Sequence, residues 1–133
     1  MALSFSPVFA SYNISVEADG IALQGARDSI YEVKIKNLGS QKIDSAEVFI
    51  TEIAGRPVTS DGDYKVANNP QTVTFLGEKG DRLIFPISIK KDAEPGIKDV
   101  KIKVIIGDES IEKQEHCRLK KIHPQQLSQM TTQ

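Results

Sequence analysis

The chain predicts an all-β protein, a two-sheet β-sandwich of seven to eight short strands with a short flexible C-terminal tail. Three observations predict it. Leu83, Phe85, Ile87 and Ile89 alternate with their neighbours along one run, and Val100, Ile102, Val104 and Ile106 repeat the alternation in the next. A period of two marks strands buried on one face and wet on the other. Gly, Asn, Asp and Pro clusters then punctuate the chain at strand-length intervals, and no stretch shows a convincing helical period.

The elements follow in order. Tyr12–Ala18 alternates and ends at Asp19-Gly20, with Ile21-Ala22-Leu23 as a short continuation. Ser29–Asn37 is the cleanest strand, with Tyr31, Val33 and Ile35 on one face and Glu32, Lys34 and Lys36 on the other. Asn37-Leu38-Gly39-Ser40 supplies turn chemistry, since Asn and Gly accept the positive φ of tight reversals. Ile43–Ile53 sets Ala46, Val48 and Ile50 on one face but Phe49 and Ile53 on the other, so it is covered on both sides or carries a bulge. Ala54–Pro70 is weakly patterned, with at most a short strand at Tyr64-Lys65-Val66. Thr72–Leu76 is a strand, Gly77–Asp81 a turn, and the two alternating runs follow, joined by Pro95-Gly96. Gly107–Ser110 reads as a hairpin loop. Ile111–Ile122 is charged and loosely alternating, which suits an edge strand guarded by Lys and Glu. From His123 the composition turns to Gln, Ser and Thr, giving a domain at residues 11–122 and a tail at 123–133.

Bulk properties narrow the function. The chain has 133 residues, enough for one domain with a serviceable core. Its 17 basic and 18 acidic residues leave a net charge of −1. That balance, without a clustered basic face, gives no support to nucleic-acid binding. One cysteine excludes an internal disulfide and a multi-cysteine metal site. No stretch reaches the roughly 18 apolar residues of a membrane span, and Met1–Ala10 lacks the basic opening of a secretory leader.

Tyr31–Gly39 resembles the strand, Asn, small turn and Gly signature of prokaryotic immunoglobulin-like modules. Leu76-Gly77, the strand closing on Ile87-Ser88-Ile89, and Ala93-Glu94-Pro95-Gly96 before the next strand complete that likeness. Over about residues 12–106 the chain is similar to the CARDB and NEW3 modules of bacterial and archaeal surface proteins. The resemblance implies an immunoglobulin-like sandwich at the cell surface, binding or assembling with protein. It implies no catalytic residue and no cofactor.

Chemistry-bearing residues are sparse. His116 and Cys117 adjoin, but neighbours on a strand point to opposite faces, so they form no pair through their own side chains. Asp61-Gly62-Asp63 and Asp108-Glu109 are acidic loops of the kind calcium uses. They lack the remaining ligands of an EF-hand, and Asp and Gly are ordinary turn residues. Lys98, Lys101, Lys103, Lys113, Lys120 and Lys121 are interrupted by Glu112 and Glu115 and have no stacking aromatics among them. No catalytic, cofactor or metal residue is assigned. Asn13-Ile14-Ser15 is a glycosylation sequon, with Asn13 the acceptor if the protein is exported. At the N-terminus Leu3, Phe5, Pro7 and Phe9 alternate, making one apolar side. This segment is either a first strand of its own sandwich or a strand added to a neighbouring subunit, and Pro7 favours an edge in both cases.

The expected function is a non-catalytic protein-binding or self-assembly module of an extracellular, prokaryotic cell-surface structure, with no membrane span of its own. Contact would run through a sheet edge, the Ala54–Pro70 loop and the N-terminal segment. The alternative is a carbohydrate-associated accessory module of a secreted enzyme. Such a module wants exposed aromatics, and only Tyr12, Tyr64 and Phe49 present themselves.

Overall fold

A computed structural model describes residues 12–26, 29–90 and 92–121. Nine strands run in chain order: β1 (Ile14–Leu23), β2 (Ser29–Asn37), β3 (Ile43–Ile53), β4 (Arg56–Pro57), β5 (Tyr64–Val66), β6 (Gln71–Leu76), β7 (Asp81–Ile89), β8 (Gly96–Ile106) and β9 (Glu109–Lys120). They hydrogen-bond into one curled sheet in the order β4-β3-β8-β9-β1-β2-β7-β5, with β6 attached to β3. Every pairing is antiparallel except β1 with β9, which is parallel.

The alternation works as the pattern requires. Val33, Ile35, Val48, Phe85, Val100, Ile102 and Val104 are sealed from solvent and belong to a single apolar core. Each such side chain contributes about 1.5–3 kcal/mol by leaving water. Among the described residues, no buried side-chain polar atom lacks a hydrogen-bond partner.

Strand β1 closes the curl by changing neighbours. Ile14–Gly20 pairs with β2, and Ile21–Leu23 then pairs with Arg118–Lys120 of β9. Gly20 sits at the handover, where a Cβ would lie 2.7 Å from Tyr31 Cδ1 and 2.9 Å from the Ile30 carbonyl oxygen. The buried Tyr31 packs into that space, and its hydroxyl donates to the His116 carbonyl at 3.1 Å. A missing side chain on β1 thus admits the ring that ties β2 to β9.

Several expectations are refined. The two alternating runs, β7 and β8, are not paired with each other. β7 lies between β2 and β5, and β8 between β3 and β9. The connection from Lys90 to Pro95 is too long for a tight hairpin and carries the chain to the other part of the curl. Strand β3 has its bulge between Ile50 and Glu52, which turns both Ile50 and Ile53 inward and leaves Phe49 half-buried. Strand β9 starts and ends two residues earlier than its pattern suggests, and it is an edge only until β1 joins it at Arg118. The weakly patterned stretch holds β5 as expected and also β4, which brings the strands to nine. Ala54 and Gly55, at φ 56° and 77°, turn β3 into β4. An alanine in a position that Asn, Asp or Gly normally fills hides that turn from the sequence.

Candidate interaction surface

A sheet binds through its edges, so each exposed edge must be followed. On β3, β6 covers Ile43–Val48 and β4 covers Glu52 and Ile53. Ile50 falls between them, and there Asn69 stands in for a strand. Its Oδ1 accepts from the Ile50 N–H at 2.9 Å and its Nδ2 donates to the Ile50 carbonyl at 2.8 Å. On β7, β5 covers Ile87–Ile89, the Ala67 N–H donates to the Pro86 carbonyl at 2.8 Å, and Gln71 Nε2 donates to the Ile84 carbonyl at 2.6 Å.

The gap between β1 and β9 is bridged by carboxylates. Glu109 accepts the Tyr12 N–H at 3.2 Å and Glu115 accepts the Ala18 N–H at 3.1 Å. Both contacts keep an offset of 97 residues, as do the main-chain pairs from Ile21 onward. The two strands are therefore in register throughout. Their main chains meet at one end, and glutamates span the rest.

Strand β6 is different. It pairs with β3 on one side, and among the described residues no strand pairs with its other edge. Its middle carries Thr72, Thr74 and Phe75 exposed. Phe75 is 75% exposed and holds φ at 51°. A bulky residue in the left-handed region is a backbone outlier, held there at a cost of order 1–3 kcal/mol. The twist sends Leu76 rather than Phe75 into the core. At that end of β6, Asn37 Nδ2 donates to the Leu76 carbonyl at 3.4 Å and the Asn37 N–H to the Gly77 carbonyl at 3.0 Å. The next residue, Leu38, is 56% exposed, and its N–H donates to the Asn13 carbonyl at 2.8 Å. Phe75, Leu38 and the point where the chain enters at Tyr12 and Asn13 thus share one end of the molecule.

The opposite end is polar. Asp63 takes Arg56 Nη1 at 3.0 Å and Lys90 Nζ at 3.2 Å, and Lys90 also lies 3.6 Å from Asp92. The hydrogen bond to Asp63 holds the Lys90 ammonium above its ordinary pKa. Open grooves of about 320 and 280 Å³ flank the network. Asp63, one of the two carboxylates in the acidic Asp61–Asp63 loop, is thus engaged by cations. Among the described residues no three His, Cys, Asp or Glu side chains gather as metal ligands.

Other candidates fall as follows. Asn13 is exposed, as a glycosylation acceptor must be. Leu3, Phe5, Pro7 and Phe9, and the tail at 123–133, lie outside the described residues. Cys117 is buried and its thiol is pushed up to about 11, chiefly by burial. His116 faces solvent and has an acidic partner that sequence reasoning did not supply, Asp99 across the β8–β9 ladder at 3.3 Å. Both are more than half exposed, and Cys117 points to the other face, so no nucleophile of that strand joins them. Of the aromatics considered for sugar stacking, Tyr64 is buried and Tyr12 and Phe49 are half-buried. Phe75 is the exposed one. No sequence signal marks it, because alternation from Val73 would place it inside.

No protein-family model matches the chain, and no curated protein is similar to it in sequence. Solved structures do resemble it. The E. coli chaperone DraB superposes with a TM-score of 0.54 at 9% identity, over 83% of this chain and 55% of its own. A family 123 glycoside hydrolase from Clostridium perfringens gives 0.50 at 10%, over 82% of this chain and 27% of its own. The N-terminal domain of PorA gives 0.49 at 10%, over 81% and 98%. The chain spans about a quarter of the hydrolase and about half of the chaperone. At such identities a likeness speaks for the fold alone. No helix among the described residues is long and apolar enough to cross a membrane.

Proposed function

We propose that this chain is a non-catalytic protein-binding or assembly module of a prokaryotic cell-surface structure, built as a two-sheet immunoglobulin-like sandwich of the CARDB or NEW3 kind. In this reading β2, β5, β7 and the first part of β1 form one sheet. β3, β4, β6, β8 and β9 form the other, and β1 passes between them. One observation carries the functional reading: β6 keeps an unpaired edge and displays a strained, exposed phenylalanine there. An unpaired edge offers main-chain donors and acceptors to an incoming strand, which is the mechanism of binding by strand addition. The carbohydrate alternative is weaker, since a lone exposed phenylalanine provides no stacking platform.

The reading is tested by light scattering behind size-exclusion chromatography, on the full chain and on a version starting at Ser11. A full chain that assembles and a shortened one that is monomeric and folded support assembly through the first ten residues. Folded monomers in both cases remove self-assembly and leave a module for another protein. A shortened chain that fails to fold makes residues 1–10 part of the sandwich.

A further inference from the structure

We infer that the free edge of β6 is the docking site for residues Leu3–Phe9 of a second copy of this chain, an assignment that rests on the assembly reading above. Three independent observations converge on it.

The first is protection. Exposed edges are usually guarded by charge or proline. Here β9 carries Glu109, Glu112, Lys113 and Glu115, β4 is Arg56-Pro57, and β5 has Lys65. β6 reads Gln71-Thr72-Val73-Thr74-Phe75-Leu76, without a charge or a proline. It is the unguarded edge among the described strands.

The second is Phe75. A regular strand would bury its ring, yet it stands 75% exposed on a left-handed backbone. Strain and exposed apolar area persist together where a partner uses them.

The third is the occupant. Leu3-Ser4-Phe5-Ser6-Pro7-Val8-Phe9 is uncharged and sets Leu3, Phe5 and Phe9 on one side of an extended chain. A neutral edge and a neutral strand join without burying an unpaired charge. The same copy cannot easily supply it. Tyr12 is held at the start of β9 by Glu109, and β9 lies three strands from β6 through β8 and β3. Three strand spacings are about 14 Å, whereas the three steps from Phe9 to Tyr12 reach about 10 Å. A segment from another copy has no such tether. Such a contact joins different surfaces of identical chains and so propagates into a linear assembly.

The experiment uses the full chain. Phe75→Ser alters the edge and Phe5→Asp the segment. Ile30→Ser alters an exposed residue on the outer face, 61% accessible and away from β6. Sedimentation velocity over a concentration series reads assembly, and thermal melting confirms that each variant is folded. The wild type assembles, Phe75→Ser and Phe5→Asp each weaken self-association at least tenfold, and Ile30→Ser leaves it unchanged. Mixing the two weakened variants restores one interface. The intact segment of Phe75→Ser docks on the intact edge of Phe5→Asp, and a 1:1 dimer forms with nothing larger. Unchanged assembly in Phe75→Ser, loss of assembly in Ile30→Ser, or a mixture that stays monomeric overturns the assignment while the assembly reading stands. A wild-type chain that is monomeric throughout overturns self-docking, leaving the module to a different protein partner.

Discussion

Gly20 has no room for a methyl group, because a Cβ there would meet the Tyr31 ring and the Ile30 backbone within 3.0 Å. Backbone cannot yield as a flexible side chain does, so Gly20→Ala lowers stability by about 1–3 kcal/mol, the usual range for overpacking. Urea unfolding measures it. Tyr31→Phe keeps the ring but leaves the His116 carbonyl without its 3.1 Å donor, a loss of about 1 kcal/mol. Cys117 yields a different expectation. Buried, with its thiol pushed up to about 11, it holds little thiolate at neutral pH and little access. An alkylating reagent then modifies it only as fast as the protein opens, and a rate equal to that of a free thiol contradicts this. At this scale the sequence is partly legible. Alternation marks Tyr31 and Cys117 as inward, but nothing around Gly20 distinguishes it from a turn glycine. Phe75 is misread outright, because a single left-handed residue shifts the alternation by one.

Elements are joined here by side chains as well as by ladders. Asn69 fills the break in the β3 edge with two hydrogen bonds to Ile50. Glu109 and Glu115 hold the β1 main chain where β9 stands away from it. Asn69→Ala leaves the Ile50 N–H and carbonyl unmatched at a half-covered site, at a cost of about 1–3 kcal/mol. The Ile50 amide then exchanges with solvent faster than its neighbours Val48 and Ile53, which keep their strand partners. Uniform acceleration along β3 instead would show that Asn69 acts on global stability alone. The strands themselves were legible wherever one face is buried, as in β2, β7 and β8, because period two is a direct imprint of burial. Their pairing was not. β7 and β8 follow each other with matching patterns yet lie in different neighbourhoods, since alternation specifies which face is buried and says nothing about which strand lies alongside. The stitches were equally hidden, for an Asn in a loop looks the same whether it bonds to water or to a strand 19 residues back.

The molecule as a whole buries protons along with apolar area. Tyr31 is held well above its ordinary value of 10.0, first by burial and then by the charges of Cys117, Glu115 and Asp19. Tyr64 is raised chiefly by burial, Cys117 moves from 9.0 to about 11 for the same reason, and Lys90 is raised from 10.5 by its bond to Asp63. All four shifts have one sign: the folded chain keeps protons that the unfolded chain releases. Stability then depends on pH through the difference in bound protons and falls as pH rises wherever the unfolded state binds fewer. The contribution of each group is complete below its unfolded value and fades as pH climbs toward the folded one. Loss therefore begins near pH 9 with Cys117, deepens beyond 10 with the tyrosines, and adds Lys90 above 10.5. Urea midpoints measured from pH 7 to 11 should stay level at first and then decline. Tyr31 sits at the junction of β1, β2 and β9, so its ionisation and the closure of the curl are opposed. Tyr31→Phe, less stable at pH 7, should decline less steeply above pH 10 and narrow the gap to the wild type. Parallel curves for the two proteins would mean that the Tyr31 hydroxyl reaches solvent before the sheet opens.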